Sequence, residues 1–391
     1  MKRQKRAGVY IHIPFCERLC PYCDFAVSVK VEIPHEEYAC AISRELSERR
    51  GELEGHQVQT VYLGGGTPSL LRARELKATL ETVDELFDLT DDVEVTMEAN
   101  PNQVSSENLA CWRAAGINRL SIGCQSFHDR HLKALRRTHN GDEARRAVEL
   151  ALGVMDRVSL DLMFAGPSQP LEEWKADLEI IKELVVESGL DHLSGYNLTI
   201  EPGTAFWIRR KRGTVVVPDD DMAALMLELL VEAAEAVGLR RYEVSNFAVD
   251  GGESRHNSSY WQGVPYLGVG VGAHSLELLE GGGARRRANP RRYDDYMASA
   301  GGAQTVEELS PVEHLGERLF LGGRSSFGIQ LEELRGRFSK VDEEVFEKIE
   351  KVLTDLVERG WMVDDGKRFA PSAKGLNFSD SLAQWLFGVV G

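Results

Sequence analysis

Six short apolar runs, each leading into a helical pattern, constrain the fold of this chain more than any other feature. The runs are Val9–Ile13, Val58–Leu63, Val93–Ala99, Arg119–Cys124, Val158–Phe164 and His192–Leu198. Helical patterns such as Pro34–Arg50, Ser69–Phe87, Gly141–Leu152, Leu171–Glu187 and Pro218–Val237 follow individual runs. Strands separated by whole helices are joined by crossovers, and crossovers connect parallel strands rather than hairpin partners. Six such units without an obvious reversal point favour a full or partial barrel over a doubly wound sheet. The expected fold is α/β, a partial (β/α)6 TIM-type barrel over residues 1–248 that takes in a further strand-like run at Tyr242–Phe247. A glycine-rich polar extension follows at 249–304. The last part, 305–391, reads as a small, mostly helical, winged-helix-like domain, with helices at Ser310–Leu321, Leu331–Phe338 and Glu343–Glu358 and a short hairpin around Trp361–Phe369.

Composition narrows the class. With 391 residues, 42% hydrophobic and 28% charged, the chain is long enough for a barrel-sized core and a small second domain. A formal net charge of -16 argues against nucleic acid as a partner and allows at most peripheral contact with an anionic membrane, because both need clustered positive charge. The basic start, Met1–Arg6, lacks the apolar core of a signal peptide, and no run approaches the roughly 20 apolar residues of a membrane span. A cytoplasmic location is expected. Six cysteines in so long a chain make no disulfide framework. Cys40, Cys111 and Cys124 are scattered and read as small buried hydrophobes.

The other three cysteines are patterned. Cys16, Cys20 and Cys23 crowd into eight residues directly after the first strand, with C-x3-C-x2-C spacing. Closed zinc sites and electron-transfer clusters normally take four protein ligands, so three thiolates leave one coordination position open. Spacing alone leaves room for a zinc site completed from elsewhere or for a redox thiol cluster. Polar residues also recur at successive strand ends: Gly64–Thr67, Glu98, Gln125, Asp161 and Asn197. Strand-end loops of such barrels are where active sites gather.

The cysteine spacing, with the aromatic Tyr22 before its last cysteine, resembles the radical S-adenosylmethionine (SAM) superfamily. That resemblance implies that Cys16, Cys20 and Cys23 hold three irons of a [4Fe–4S] cluster while SAM chelates the fourth. An electron from the cluster then breaks the sulfonium C–S bond and releases a deoxyadenosyl radical. Tyr10–Cys16, Gly64–Pro68, Glu98–Pro101, Gln125–Phe127, Asp161–Leu162 and Tyr196–Asn197 are further similar to the HemN-like branch, over nearly the whole chain. On this resemblance Tyr10, Gly66, Thr67, Glu98 and Arg137 contact the cluster-bound SAM. Tyr22, Gln125, Asp161 and Asn197 fall at other SAM-contacting positions, some of which serve a second SAM. The chemistry is suitable: glycine lets a backbone approach a ligand closely, Glu98 suits ribose hydroxyls and Arg137 suits a carboxylate.

Two features divide the branch. The coproporphyrinogen oxidases carry a further cysteine two residues after the third, where this chain has Phe25, and a longer segment before the cluster. His256-Asn-Ser-Ser-Tyr-Trp261 is instead similar to the H-N-x-x-Y-W motif of the HemW family of haem chaperones. The resemblance implies haem as cargo, with His256 able to supply an axial imidazole and Tyr260 and Trp261 flat apolar surface. Haem-accepting proteins such as respiratory cytochromes are then the expected partners, along with an unidentified electron donor and a possible second copy of the chain. The alternative is an oxygen-independent coproporphyrinogen III oxidase, which converts propionates to vinyls by radical decarboxylation. A methyltransferase or haem-degrading relative is a third reading, so enzymatic use of SAM stays open. One loop departs from the branch: Phe164-Ala-Gly-Pro-Ser-Gln169 has Ala165 and Ser168 where relatives carry glycine, which implies a turn that Ala and Ser tolerate.

Overall fold

The computed structural model describes residues 5–299, 302 and 305–390; residues 1–4 of the basic start and residue 304 at the expected domain boundary lie outside it. Its main feature is one twelve-stranded sheet. The strands are β1 Lys5–Ile13, β2 His56–Gly65, β3 Leu89–Ala99, β4 Arg119–Gln125, β5 Arg157–Phe164, β6 His192–Asn197, β7 Arg240–Arg241, β8 Asn246–Ala248, β9 Tyr266–Val269, β10 His274–Leu278, β11 Ala284–Ala288 and β12 Thr305–Leu309. They lie in the order β12-β11-β10-β9-β1-β2-β3-β4-β5-β6-β8-β7. Strands β1 to β6 are parallel neighbours, as the alternation with helices requires. β6 pairs with β8 and β1 with β9, so the six strands form an open, partial barrel.

Alternation along each strand decides what faces where. Val9, Ile11, Ile13, Val61, Leu63, Met97, Ile122, Leu160 and Leu162 are buried in the main hydrophobic core. The intervening positions point the other way and are polar. Near the N-terminal ends of the strands they link up: Arg119 lies 3.6 Å from Glu94 and donates to Ser159, whose hydroxyl lies 2.8 Å from His192 Nδ1. Toward the C-terminal ends the same alternation brings Glu98, Ser121 and Asp161 to one cavity.

The glycine-rich stretch is more regular than its composition suggests. It forms a helix at Arg255–Trp261 and the strands β9 to β11, which extend the sheet beyond β1. Helical composition from 305 also gives way at its start, because Thr305–Leu309 pairs antiparallel with β11. There the basic run finds its partners: Arg285 pairs with Glu308 at 2.7 Å and Arg286 with Glu307 at 2.8 Å across the strands. Beyond it, helices Pro311–Gly322, Leu331–Arg337 and Glu343–Glu358, a hairpin of Met362–Asp364 with Phe369–Pro371, and helices Ala373–Asn377 and Ser379–Phe387 build a second core. Helix Glu343–Glu358 buries Phe346, Ile349, Leu353 and Leu356 on one face. Each such side chain contributes about 1.5–3 kcal/mol on burial. Among the described residues, no helix is long and apolar enough to cross a membrane.

The departing loop has a physical signature. Ala165 and Ser168 both lie in the left-handed region, at φ 56° and 55°, where a Cβ is strained and glycine is not. Ser168 is exposed, so Ser168→Gly is expected to raise stability by about 0.5–1 kcal/mol. Ala165 is buried, and loss of its methyl, about 0.8 kcal/mol, offsets the relief, so Ala165→Gly is expected to be near neutral. Urea midpoints of the two variants check this; a destabilised Ser168→Gly would show that the loop is not strained there.

Candidate functional site

The cysteine loop follows β1 and is fastened on both sides. Phe15 packs against Tyr38 and Tyr293, with ring centroids 5.1 and 5.9 Å apart, and Ser28 N–H donates to Pro14 O at 2.7 Å. Cys16, Cys20 and Cys23 all line a cavity of about 400 Å³ at the C-terminal ends of the strands. No three Cys, His, Asp or Glu side chains among the described residues gather around one point as a mononuclear metal requires. The three thiols face the cavity from one loop, a donor set that suits an iron–sulfur cluster with one coordination position left open. All six cysteines are free thiols. Cys124 is buried as expected, whereas Cys40 and Cys111 are exposed, because their helices turn those positions to solvent.

The eight expected SAM contacts other than Gly66 fall into two groups. Tyr22, Thr67, Glu98, Gln125, Arg137 and Asp161 line the cavity with the thiols, as does Gly66. Thr67 donates to Cys16 Sγ at 3.8 Å, and Arg137 Nη1 to Cys20 Sγ at 3.7 Å. Burial pushes the Cys16 thiol up to about 11, against the Thr67 hydrogen bond. Arg137 follows the helix Asp129–Ala134 and is swung inward by Arg136, whose φ is 57°. Its guanidinium donates to Gly123 O at 2.9 Å and to Asn100 Oδ1, while its buried Nε has no partner among the described residues. It is not a solvated helix charge.

The strand ends supply the acceptors. Glu98 accepts from Tyr62 OH at 2.9 Å and from Gly65 N–H at 3.0 Å, and burial pushes its carboxyl up to about 7. Asp161 accepts from Ser121 Oγ at 2.8 Å, and burial pushes it up to about 6. Its Oδ1 has no partner among the described residues, so it is available to a ligand hydroxyl or ammonium group. Gln125 reaches the cavity through a β-bulge after Gly123 and a left-handed backbone at φ 68°; bulges re-aim side chains in this way. Gly65 has φ 111°, and a Cβ there would stand 2.4 Å from the His12 ring. At Gly66 a Cβ would meet Pro14 and Phe15 backbone at 2.7 Å, so only glycine lets the turn sit against the cysteine loop.

Tyr10 and Asn197 are not brought to this cavity. Tyr10 lines a neighbouring cavity and its hydroxyl lies 3.1 Å from His12 Nδ1. Asn197 is exposed; adjacent strand residues face opposite ways, so Tyr196 takes the cavity position. Asn100, Ser121 and Tyr196 were missed as lining residues. The strand-end rule that found Glu98 also covers Asn100 two residues later.

His256, expected to supply an axial imidazole, is instead enclosed. It is 1% exposed, with Nδ1 2.8 Å from Thr60 Oγ1 and Nε2 2.8 Å from Tyr260 OH. Tyr62 stacks on its ring at 4.9 Å. Burial pushes it down to about 3, so it is a neutral core histidine with both nitrogens engaged. Trp261 points elsewhere, under the Arg324 guanidinium at 5.8 Å, while Tyr260 reaches the neighbouring cavity.

The chain is similar to known proteins over most of its length. Residues 10–181 match the radical SAM superfamily, and residues 309–378 match the HemN C-terminal domain. The chain is 39% identical over 292 residues to the heme chaperone HemW of Escherichia coli (strain K12), covering 74% of this chain and 75% of that one. It is 34% identical over 357 residues to the heme chaperone HemW of Bacillus subtilis (strain 168), covering 90% and 92%. A mouse protein, radical S-adenosyl methionine domain-containing protein 1, mitochondrial, is 37% identical over 390 residues, covering 96% and 86%. Among solved structures, coproporphyrinogen III oxidase (HemN) from Escherichia coli matches with a TM-score of 0.80 at 20% identity, covering 98% of this chain and 90% of that one. That likeness is one of fold.

Proposed function

The chain belongs to the radical SAM superfamily and, within it, to the HemW family, and on that premise we propose that it is a haem chaperone that binds a [4Fe–4S] cluster, SAM and haem. Cys16, Cys20 and Cys23 hold the cluster. When bound, the cluster supplies an electron to the SAM sulfonium. The chain's own residues do the positioning: Arg137 holds Cys20 and neutralises thiolate charge, while Thr67 steadies Cys16. Glu98 and Asp161 offer buried carboxylates to ribose hydroxyls and the SAM amino group. Haem passes to acceptor haem proteins, respiratory cytochromes among them. The working compartment is a reducing one, the cytoplasm, since the three thiols must stay unpaired to take iron.

The observation that carries the chaperone reading is the similarity to HemW over nearly the full length, together with Phe25 in place of the oxidases' further cysteine. The test is an assay on protein purified anaerobically and reconstituted with iron and sulfide. It is expected to bind haem stoichiometrically and to leave coproporphyrinogen III unchanged in the presence of SAM and a reductant. Vinyl-bearing product would overturn the reading in favour of the oxidase.

A further inference from the structure

Resting on the chaperone reading, we propose that haem is held in the cavity beside the cysteine loop, with His274 as the axial ligand and Arg291 paired with a propionate. This cavity of about 270 Å³ is lined by both residues and by Tyr10, Phe25, Tyr260 and Tyr266. Three imidazoles bear on it. His12 is tied at both nitrogens, to Tyr10 OH at 3.1 Å and Ala26 O at 2.8 Å. His256, behind Tyr260, is tied at both as well. His274, the first residue of β10, is exposed and lines the cavity, so its ring can turn a lone pair toward an iron.

The surrounding chemistry fits a porphyrin edge. Phe25 is 62% exposed, and Tyr260 stands edge-on to Tyr266 with centroids 4.6 Å apart, giving aromatic walls for a flat macrocycle. Arg291 is exposed and spends one N–H on Asp24 O at 2.6 Å, leaving further donors for a carboxylate. The cavity is smaller than a whole haem and takes one edge of it. The other edge stays in solvent, where an acceptor can reach it. On this geometry His256 is a positioning residue: it holds Tyr260 at the cavity wall rather than binding iron. Phe25, Asp24 and Gly65 line both this cavity and that of the thiols, so cargo and cluster sit on two sides of one loop.

Ferric haem titrated into the reconstituted full-length protein, followed by difference absorbance and electron paramagnetic resonance, tests the assignment. His274→Ala is expected to lose the imidazole signature and about tenfold or more in affinity. His274→Met is expected to replace that signature with a thioether one, which separates ligation from folding. Arg291→Ala is expected to weaken haem binding roughly tenfold while leaving the haem dimethyl ester, which has no free propionates, unchanged. His256→Ala is expected to keep the imidazole signature. A wild-type signature retained in both His274 variants would overturn this site while leaving the chaperone reading in place. Failure of the wild type to bind haem at all would overturn that reading and this site with it.

Discussion

Glu45→Ala is expected to lower the unfolding free energy by about 3 kcal/mol or more, the largest stability effect of any single side-chain truncation proposed for this chain. Glu45 lies on the helix His35–Arg49 and is completely buried. One oxygen accepts from Arg49 Nη1 at 2.8 Å and Asn289 Nδ2 at 2.7 Å; the other accepts from Gly270 N–H at 2.9 Å and Tyr296 OH at 2.8 Å. Truncation strands four donors in the interior, one of them charged. Arg49 retains Glu52 at 2.9 Å, which keeps the loss from being larger. Glu45→Gln keeps the shape but its amide nitrogen cannot accept, so it is expected to lose about 2 kcal/mol. Equilibrium urea unfolding measures both, and a change below about 1 kcal/mol for the alanine variant would show that the cluster is not a fastening point. Tyr293 lies in the same helix as Tyr296 and packs on Phe15, so the alanine variant is also expected to retain its cluster less well.

Glu45 illustrates what the sequence hides. With Arg49 four residues later it reads as an ordinary solvated pair on a helix face. Its other partners lie 225 to 251 positions away, and nothing in the intervening sequence marks them. The extension resisted reading for a related reason. Gly268 interrupts β9 where a Cβ would stand 1.9 Å from His274 O, and strands of four or five residues carry too little alternation to register against a glycine background. The parallel strands were legible because each is longer and one face is continuously apolar.

At the site, legibility followed residue chemistry. Glu98 and Asp161 stood out because a charge at a strand end has no packing use, whereas Arg137 was named through the resemblance alone; the structure brings all three to the cysteine cavity. Ser121 was passed over because serine is unremarkable in a strand, and Tyr196 entered only as part of the Tyr196–Asn197 motif, without a site role. Naming Asn197 instead of Tyr196 is an error of one residue, and in a strand one residue is the difference between the two faces. The reading of His256 failed differently. A motif shows that an imidazole is present but not that both its nitrogens are already engaged, here by Thr60 and by Tyr260 of the same motif.

Cys20→Ala is expected to abolish the cluster outright. The thiols are not interchangeable spares, because each approaches the cavity from its own point on the loop: Cys16 beside Thr67, Cys20 beside Arg137 and Cys23 bonded through its N–H to Cys20 O at 3.3 Å. Removing the middle one leaves two protein ligands and takes from Arg137 Nη1 its thiol acceptor, while Nη2 keeps Gly123 O and Asn100 Oδ1. Cys124 cannot substitute, since it is enclosed in the core, and Cys40 and Cys111 lie on helices away from the cavity. Iron and acid-labile sulfide counted after anaerobic reconstitution, beside the visible absorbance, are expected to fall to background in Cys20→Ala and to be unaffected in Cys40→Ala and Cys111→Ala. Circular dichroism is expected to show the same secondary structure in all three, because the sheet is built without the metal ligands. A full complement of four irons in Cys20→Ala would remove the cluster from this loop, and with it the position through which SAM is held.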